Sequence, residues 1–149
     1  MKRMFLAGPF KAWVDPRTHA MAERDIQLFT TVIEHFEQRG WTVHCAHKRE
    51  GWGRDFMAPE TCTRIDYEEI GKCDCFVAFP GSPASPGTHI ELGWASAMGK
   101  KIVLLQQVGK EYAFLVQGLG EITRVQRVEY AGDAVDPVQI EQAIERFSG

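Results

Sequence analysis

"CDCFVAFPGSPASPGTHIELGWASAMGKKIVLLQ", Cys73 to Gln106, carries the reading that decides the fold. Cys73–Phe79 is a short apolar run, the pattern of a strand buried on both faces of a parallel sheet. A loop rich in glycine and proline follows. A helix then reads from about Thr88 to Met98, closed by Gly99, and Lys100–Gln106 is a second apolar strand.

The same alternation continues in both directions. Upstream, "RMFLAG" from Arg3 is a strand stopped by Gly8-Pro9, and "FKAWVDPRTHAM" is an irregular polar and aromatic segment. From about Glu23 to Arg39, Ile26, Phe29, Val32, Ile33 and Phe36 recur at helical spacing, with Gly40 as the stop. "WTVHCA" is a strand, "HKREGWGRDFMAP" a charged, glycine-broken loop, and Pro59–Lys72 a helix presenting Ile65 and Ile70 inward. Downstream, "EYAFLVQGLG" reads as a short helix, "ITRVQRVEY" as a strand and "VDPVQIEQAIERF" as a terminal helix. Strands alternating with helices predict an α/β, three-layer fold with a five-stranded parallel sheet in Rossmann-like or flavodoxin-like order. A single domain, 1–149, is expected, without repeats or linkers.

Composition excludes several functions. A net charge of -3 gives no general electrostatic grip on nucleic acid or an anionic membrane. No apolar run reaches membrane-spanning length, and the stretch after Met1-Lys2-Arg3 is too short for a signal peptide, so a cytoplasmic protein is expected. Cys45, Cys62, Cys73 and Cys75 lack paired CxxC spacing, so reduced, mostly buried thiols are expected instead of a zinc ribbon or disulfide framework. His19, His35 and His44 show no metal-ligand spacing.

In an open parallel sheet, ligands bind outside the carboxyl ends of the strands. There the loop "PGSPASPGTH" offers the hydroxyls of Ser82, Ser85 and Thr88, a Gly87 that permits close backbone approach, and a helix N-terminus that attracts anions. A plain strand-to-helix connection has similar composition, and no Walker or GxGxxG spacing separates the two. Glu91 lies six residues after Ser85, in the first helical turn or just beyond. A carboxylate beside a phosphate site is costly unless chemistry needs it, although acids in a first helical turn also serve as caps. Asp66 by itself reads as surface charge.

Together these residues carry a resemblance. "FLAGPF", Asp66 with Asp74 ahead of a short apolar strand, "SPGTHIELGWA" and "GKKIVLL" resemble the nucleoside 2-deoxyribosyltransferase superfamily. Within it, "DPRT", "IEHFE.RG", "AH.RE.WG", "VAFPG.PASPGTH" and "YAFLV.GL" are similar to nucleotide N-glycosidases that hydrolyse CMP or 5-hydroxymethyl-CMP in nucleoside-antibiotic pathways. The likeness runs from about Phe5 to Leu119. It implies that Glu91 is the catalytic carboxylate at C1′ of the sugar and that Asp66 orients it. It also implies that Ser85, Gly87 and His89 bind the phosphate, His89 standing where relatives have glycine. The family implies a homodimer with shared sites, so "YAFLV", with Tyr112 and Phe114, is expected to come from the neighbouring subunit. No metal or organic cofactor is implied.

Other residues complete the expected pocket. His47, Arg49, Glu50 and Trp52 suit a pyrimidine site, with Trp52 stacking and the polar groups reading the ring edge. The alternative is a solvated loop with Trp52 as a lid over the core. Gly8, Phe10 and Lys11 follow the first strand and are expected to face the base, the 2′ position or the 5-substituent; Phe10 equally suits the core. Trp13, Trp41 and Trp94 read as packing. Lys11 stands where the hydroxymethyl-CMP enzymes carry arginine, and lysine lacks the bidentate fork, so CMP or another substituted pyrimidine nucleotide stays open. Deoxynucleotide hydrolysis, a cytokinin-type phosphoribohydrolase and a non-catalytic nucleotide sensor are the alternatives. The transferase reading is weakened by the phosphate loop, because transferases take unphosphorylated nucleosides.

Overall fold

The computed structural model describes residues 2–148. Five parallel strands form one sheet: β1 (Arg3–Ala7), β4 (Thr42–Cys45), β5 (Cys75–Ala78), β6 (Lys101–Gln107) and β7 (Val125–Tyr130), in the order β4-β1-β5-β6-β7. This is the flavodoxin-like order, with its switch point between β1 and β5. The expected class holds, and the order resolves which member of it the chain adopts.

Alternation along each strand splits the core in two. Met4 and Leu6 of β1, Cys75 and Val77 of β5, and Val103 and Leu105 of β6 point to one face. There α1 (Glu23–Glu37) covers them with Leu28, Phe29, Val32, Ile33 and Phe36, and α6 (Pro137–Glu145) with Ile140 and Ala143. Phe5, Ala7, Phe76, Ala78, Ile102 and Leu104 point to the other face, under α3 (Pro59–Lys72) and α4 (Pro86–Ala97). A period of two in the strands therefore produces the three layers.

Two segments depart from expectation. "FKAWVDPRTHAM" is ordered: a 3-10 turn at Lys11–Trp13 leads into a hairpin of β2 (Val14–Asp15) and β3 (Ala20–Met21). Its strands are too short to show alternation. The turn closes through His19 N to the Asp15 carbonyl at 2.8 Å, and buried Met21 anchors the hairpin to the core. "HKREGWGRDFMAP" likewise contains a one-turn helix, α2 (Ala46–Arg49), and a 3-10 turn at Gly51–Gly53. Within it Arg49 and Glu50 pair with each other away from solvent, while Lys48, Arg54 and Asp55 stay exposed. On α3, Ile70 is fully buried but Ile65 only partly so. "EYAFLVQGLG" gives α5 (Phe114–Gln117) and a 3-10 turn at Leu119–Glu121. All four cysteines are free thiols, and burial pushes Cys73 up to about 11. No helix among the described residues is long and apolar enough to cross a membrane.

Candidate active site

The loops after β1 and β5 flank the switch point and open a cavity of about 1550 Å³. Two carboxylates meet in it. Asp66 projects from the middle of α3 and Glu91 from the second turn of α4, on the same face of the sheet. They share a hydrogen bond. Burial raises the Glu91 carboxyl well above the ordinary range, the adjacent Asp66 raises it further, and Arg49 pulls in the opposite direction. Two carboxylates at hydrogen-bonding distance cannot both ionise freely, so the pair retains a proton that a solvated glutamate would have lost.

Arg49 lies behind this pair and does not line the cavity. Its Nη1 donates to Asp66 Oδ1 at 2.7 Å and its Nη2 to Glu50 Oε2 at 2.8 Å. Nη1 also donates to His44 Nε2 at 2.9 Å, so that nitrogen is unprotonated. Burial lowers the His44 pKa, in keeping with a neutral ring stacked on Phe5. Arg49 thus faces the carboxylates, where a base-reading role had been expected.

The raised Glu91 pKa has a stability consequence. Its native value lies above the unfolded 4.5, so native protein binds the proton more tightly. Stability is therefore highest below the unfolded value and falls as pH rises toward the native one. Glu91→Gln, which keeps an amide donor toward Asp66, is expected to melt higher than the parent near pH 7.5. The difference should shrink toward zero near pH 4, with about 2–4 °C of Tm for each kcal/mol in a chain of this size. Melting curves across that range, in the absence of ligand, provide the check.

Opposite the carboxylates is the loop after β5. Ser85 is the N-cap of α4, accepting from Thr88 N at 3.5 Å and from Thr88 Oγ1 at 3.0 Å. Pro86 at the first position has no N–H, which leaves the first-turn amides of Gly87 and Thr88 to cap or ligand. A Cβ at Gly87 would meet nothing within 4 Å, so the space beside it is open to the cavity, which Ser82 also lines. His89 is placed differently from expectation. Its Nδ1–H donates to the Ser85 carbonyl at 2.6 Å and its Nε2 is buried without a partner, off the cavity wall. The ring is turned back onto the start of its own helix and presents no donor to the cavity.

The third wall is aromatic. Phe10 stacks on His47 at 4.4 Å, and His47 on Phe29 at 4.2 Å. His47 is only 3% exposed, and its Nε2–H donates to the carbonyls of Gly8 at 3.0 Å and Pro9 at 2.9 Å. Burial depresses its pKa to about 4, so it is neutral near pH 7 and holds the loop after β1 in place. Gly8 is required there, since a Cβ would lie 2.8 Å from Phe29 Cζ. Trp52 is not on this wall; it packs into the core 6.4 Å from Phe29. Phe56 occupies the exposed position instead, 5.0 Å from Phe10, with Lys11 Nζ 5.5 Å from its ring centroid. Phe56 was absent from the sequence-based set; its only signal was an aromatic residue inside a polar loop.

Tyr112 lines the cavity, its hydroxyl accepting from Gln107 N at 2.7 Å. Phe114 lies outside it, 87% exposed beside the similarly exposed Leu115. Tyr130, Asp25 and Asp133, also unanticipated, line the cavity as well, and burial pushes the Tyr130 phenol up to about 12. Among the described residues no group of His, Cys, Asp and Glu has the arrangement of a metal site.

Comparison with known proteins places the chain in a family. Residues 4–143 match the family model described as nucleoside 2-deoxyribosyltransferase. The chain is similar to the CMP N-glycosidase BcmB of Clostridium botulinum, at 38% identity over 98% of this chain and 99% of that one, with a TM-score of 0.70. It is similar to BlsM, known from a solution structure, at 45% identity over 99% and 94% of the two chains and a TM-score of 0.81. A conserved protein of Enterococcus faecalis V583, 16% identical over 98% and 99% of the chains with a TM-score of 0.63, shares the fold. No curated protein sequence matches the chain.

Proposed function

The chain belongs to the nucleoside 2-deoxyribosyltransferase family, and from that premise we propose that it hydrolyses the N-glycosidic bond of a pyrimidine nucleoside 5′-monophosphate. The substrate is CMP or a 5-substituted relative such as 5-hydroxymethyl-CMP, and the products are free base and ribose 5-phosphate. The similarity to a CMP N-glycosidase supports the class of reaction. The observation that carries it to this chain is Glu91, paired with Asp66 in a cavity that also holds the N-terminus of α4.

In this reading the base lies along Phe10 and Phe56, and the phosphate rests on Ser85, Ser82 and the Gly87 amide. That places C1′ against Glu91. As the C1′–N bond breaks, its electron pair leaves with the base and positive charge develops on the sugar, which ionised Glu91 stabilises. Water then adds to C1′, the Glu91–Asp66 pair accepts the proton it releases, and one proton passes to the departing base, which leaves as the neutral free base. Asp66 orients Glu91 throughout. The phosphate, remote from the broken bond, supplies binding energy that holds C1′ in place.

A second copy of the chain completes the site in this proposal. The cavity exceeds the roughly 300–1,000 Å³ usual for small ligands, and Phe114 and Leu115 stand exposed after a segment in which Tyr112 lines it. A partner's "YAFLV" segment would narrow the opening, and the assembly would act in the cytoplasm.

Chromatography of reactions with CMP, hydroxymethyl-CMP, dCMP, UMP and AMP tests the proposal. Release of cytosine or its 5-substituted form, with ribose 5-phosphate, is expected. Consumption of dCMP alone would assign a deoxynucleotide hydrolase, and of AMP alone a cytokinin-type enzyme. Binding without release from any member would assign a sensor.

A further inference from the structure

The carboxylate pair is continued as a chain of contacts through Arg49 to Glu50, which is only 4% exposed and also lines the cavity. Every fixed part of Glu50 is engaged. Oε2 accepts from Arg49 Nη2 at 2.8 Å, and Oε1 accepts from Met57 N at 3.0 Å. Its carbonyl accepts from Gly53 N at 3.2 Å and Asp55 N at 3.1 Å. Both carboxylate oxygens of Glu50 are thus held, one by Arg49 and one by a backbone amide. With Nη2 on Glu50, Arg49 meets Asp66 through Nη1 alone, and its Nε is left without a partner. A guanidinium free of Glu50 would offer Asp66 the two-pronged geometry that carboxylates prefer.

We propose that Glu50 is a positioning residue: it clamps Arg49 in a single-pronged contact with Asp66 and so limits the positive field that reaches Glu91. The assignment of chemistry to Glu91 rests on the function proposed above, whereas the clamp itself rests on the distances. The other charged or titratable groups around the chain are His44 and Cys45 from β4, His47 from α2, and Glu69 and Lys72 from α3. His44 and His47 are both held neutral by burial, and burial drives the Cys45 thiol up to about 12. Arg49 is thus the cation that acts on Glu91, and Glu50 is the group that divides its attention. The consequence is a carboxylate pair on which Arg49 pulls through one contact only, while burial and Asp66 hold Glu91 above the ordinary carboxylate range.

The test is a titration of intact protein without nucleotide, following the side-chain carboxyl carbon of Glu91 by NMR in protein labelled with 13C-glutamate. The resonance is identified by its loss in Glu91→Gln. Glu50→Gln, nearly isosteric, is expected to lower the Glu91 midpoint by on the order of half a pH unit or more. The double variant Arg49→Gln/Glu50→Gln, which removes Arg49 and Glu50 together and leaves Asp66 facing a neutral amide, is expected to raise it above the parent's. A purely structural Glu50 would lower Tm and leave the midpoint in place, and that result, or an upward shift in Glu50→Gln, overturns the proposal. If the single variant does not fold, a double-variant midpoint at or below the parent's overturns it equally. The titration needs no substrate, so cleavage of CMP with the wrong order of midpoints sinks the clamp alone. The right order without cleavage sinks the proposed function alone.

Discussion

Glu91→Ala folds, binds nucleotide and fails to cleave it. The substitution falls in the second turn of α4, where alanine is a good helix former, and the helix keeps its Ser85 cap and Pro86 start. It removes a carboxyl that burial and Asp66 already disfavour as an anion, so the fold loses nothing it depended on. It also leaves no carboxyl there to ionise beside the proposed phosphate, so ground-state affinity stays level or improves. The transition state alone is harmed, because positive charge develops on the sugar with nothing ionised facing it. Deleting one preorganised electrostatic group commonly costs about 10²–10³ in rate, and a group that meets a full developing charge should cost at least about 10³. Calorimetry for binding and turnover on the same preparation separate the effects: kcat collapses while Kd does not. A helix-capping role predicts a lower Tm and near-parental activity; a variant within a few-fold of the parent's rate would remove Glu91 from the mechanism.

Cytidine is expected to be cleaved far more slowly than CMP. Without a phosphate, the Ser85 hydroxyl and the Gly87 amide at the start of α4 lose the group they are arranged to hold. Each hydrogen bond to a charged group is worth about 1.5–3 kcal/mol. Losing two lowers kcat/KM by on the order of 10²–10⁴. Part of the loss falls on kcat, because the phosphate positions C1′ against Glu91 through remote binding. Inorganic phosphate added with cytidine should restore little, since the anchor works only when covalently joined to the sugar. Equal kcat/KM for cytidine and CMP would mean that the loop serves only to cap the helix.

The amino-acid sequence alone determined the alternation of elements. Continuous apolar runs in β1, β5 and β6 and the helical spacing of Phe29, Val32, Ile33 and Phe36 are local patterns, readable because burial imposes them residue by residue. Gly40 and Gly99, at φ of 83° and 70°, marked helix ends because that backbone region suits glycine. Glu91 stood out for the same reason, as an acid placed just where a helix N-terminus favours an anionic ligand. The hairpin of β2 and β3 and the single turn of α2 escaped notice because two and four residues are too few to display a period.

Only the tertiary structure decided which residues face one another. Asp66 read as surface charge until the packing of α3 beside α4 set it against Glu91. Arg49 read as a group for a base edge until the turn after β4 drew it beneath the carboxylates, and Glu50, which lines the cavity, turned one carboxylate oxygen onto Arg49. The aromatic wall changed hands in the same way. Trp52, at φ 58°, packs on Phe29, and Phe56 four residues later takes the exposed place. His89 turned back onto Ser85. Each outcome depends on partners distant in sequence, whose energy comes from burial and electrostatics between elements. Local spacing shows where a strand or helix will form; the sign and distance of the charge beside a side chain arise only when the layers close.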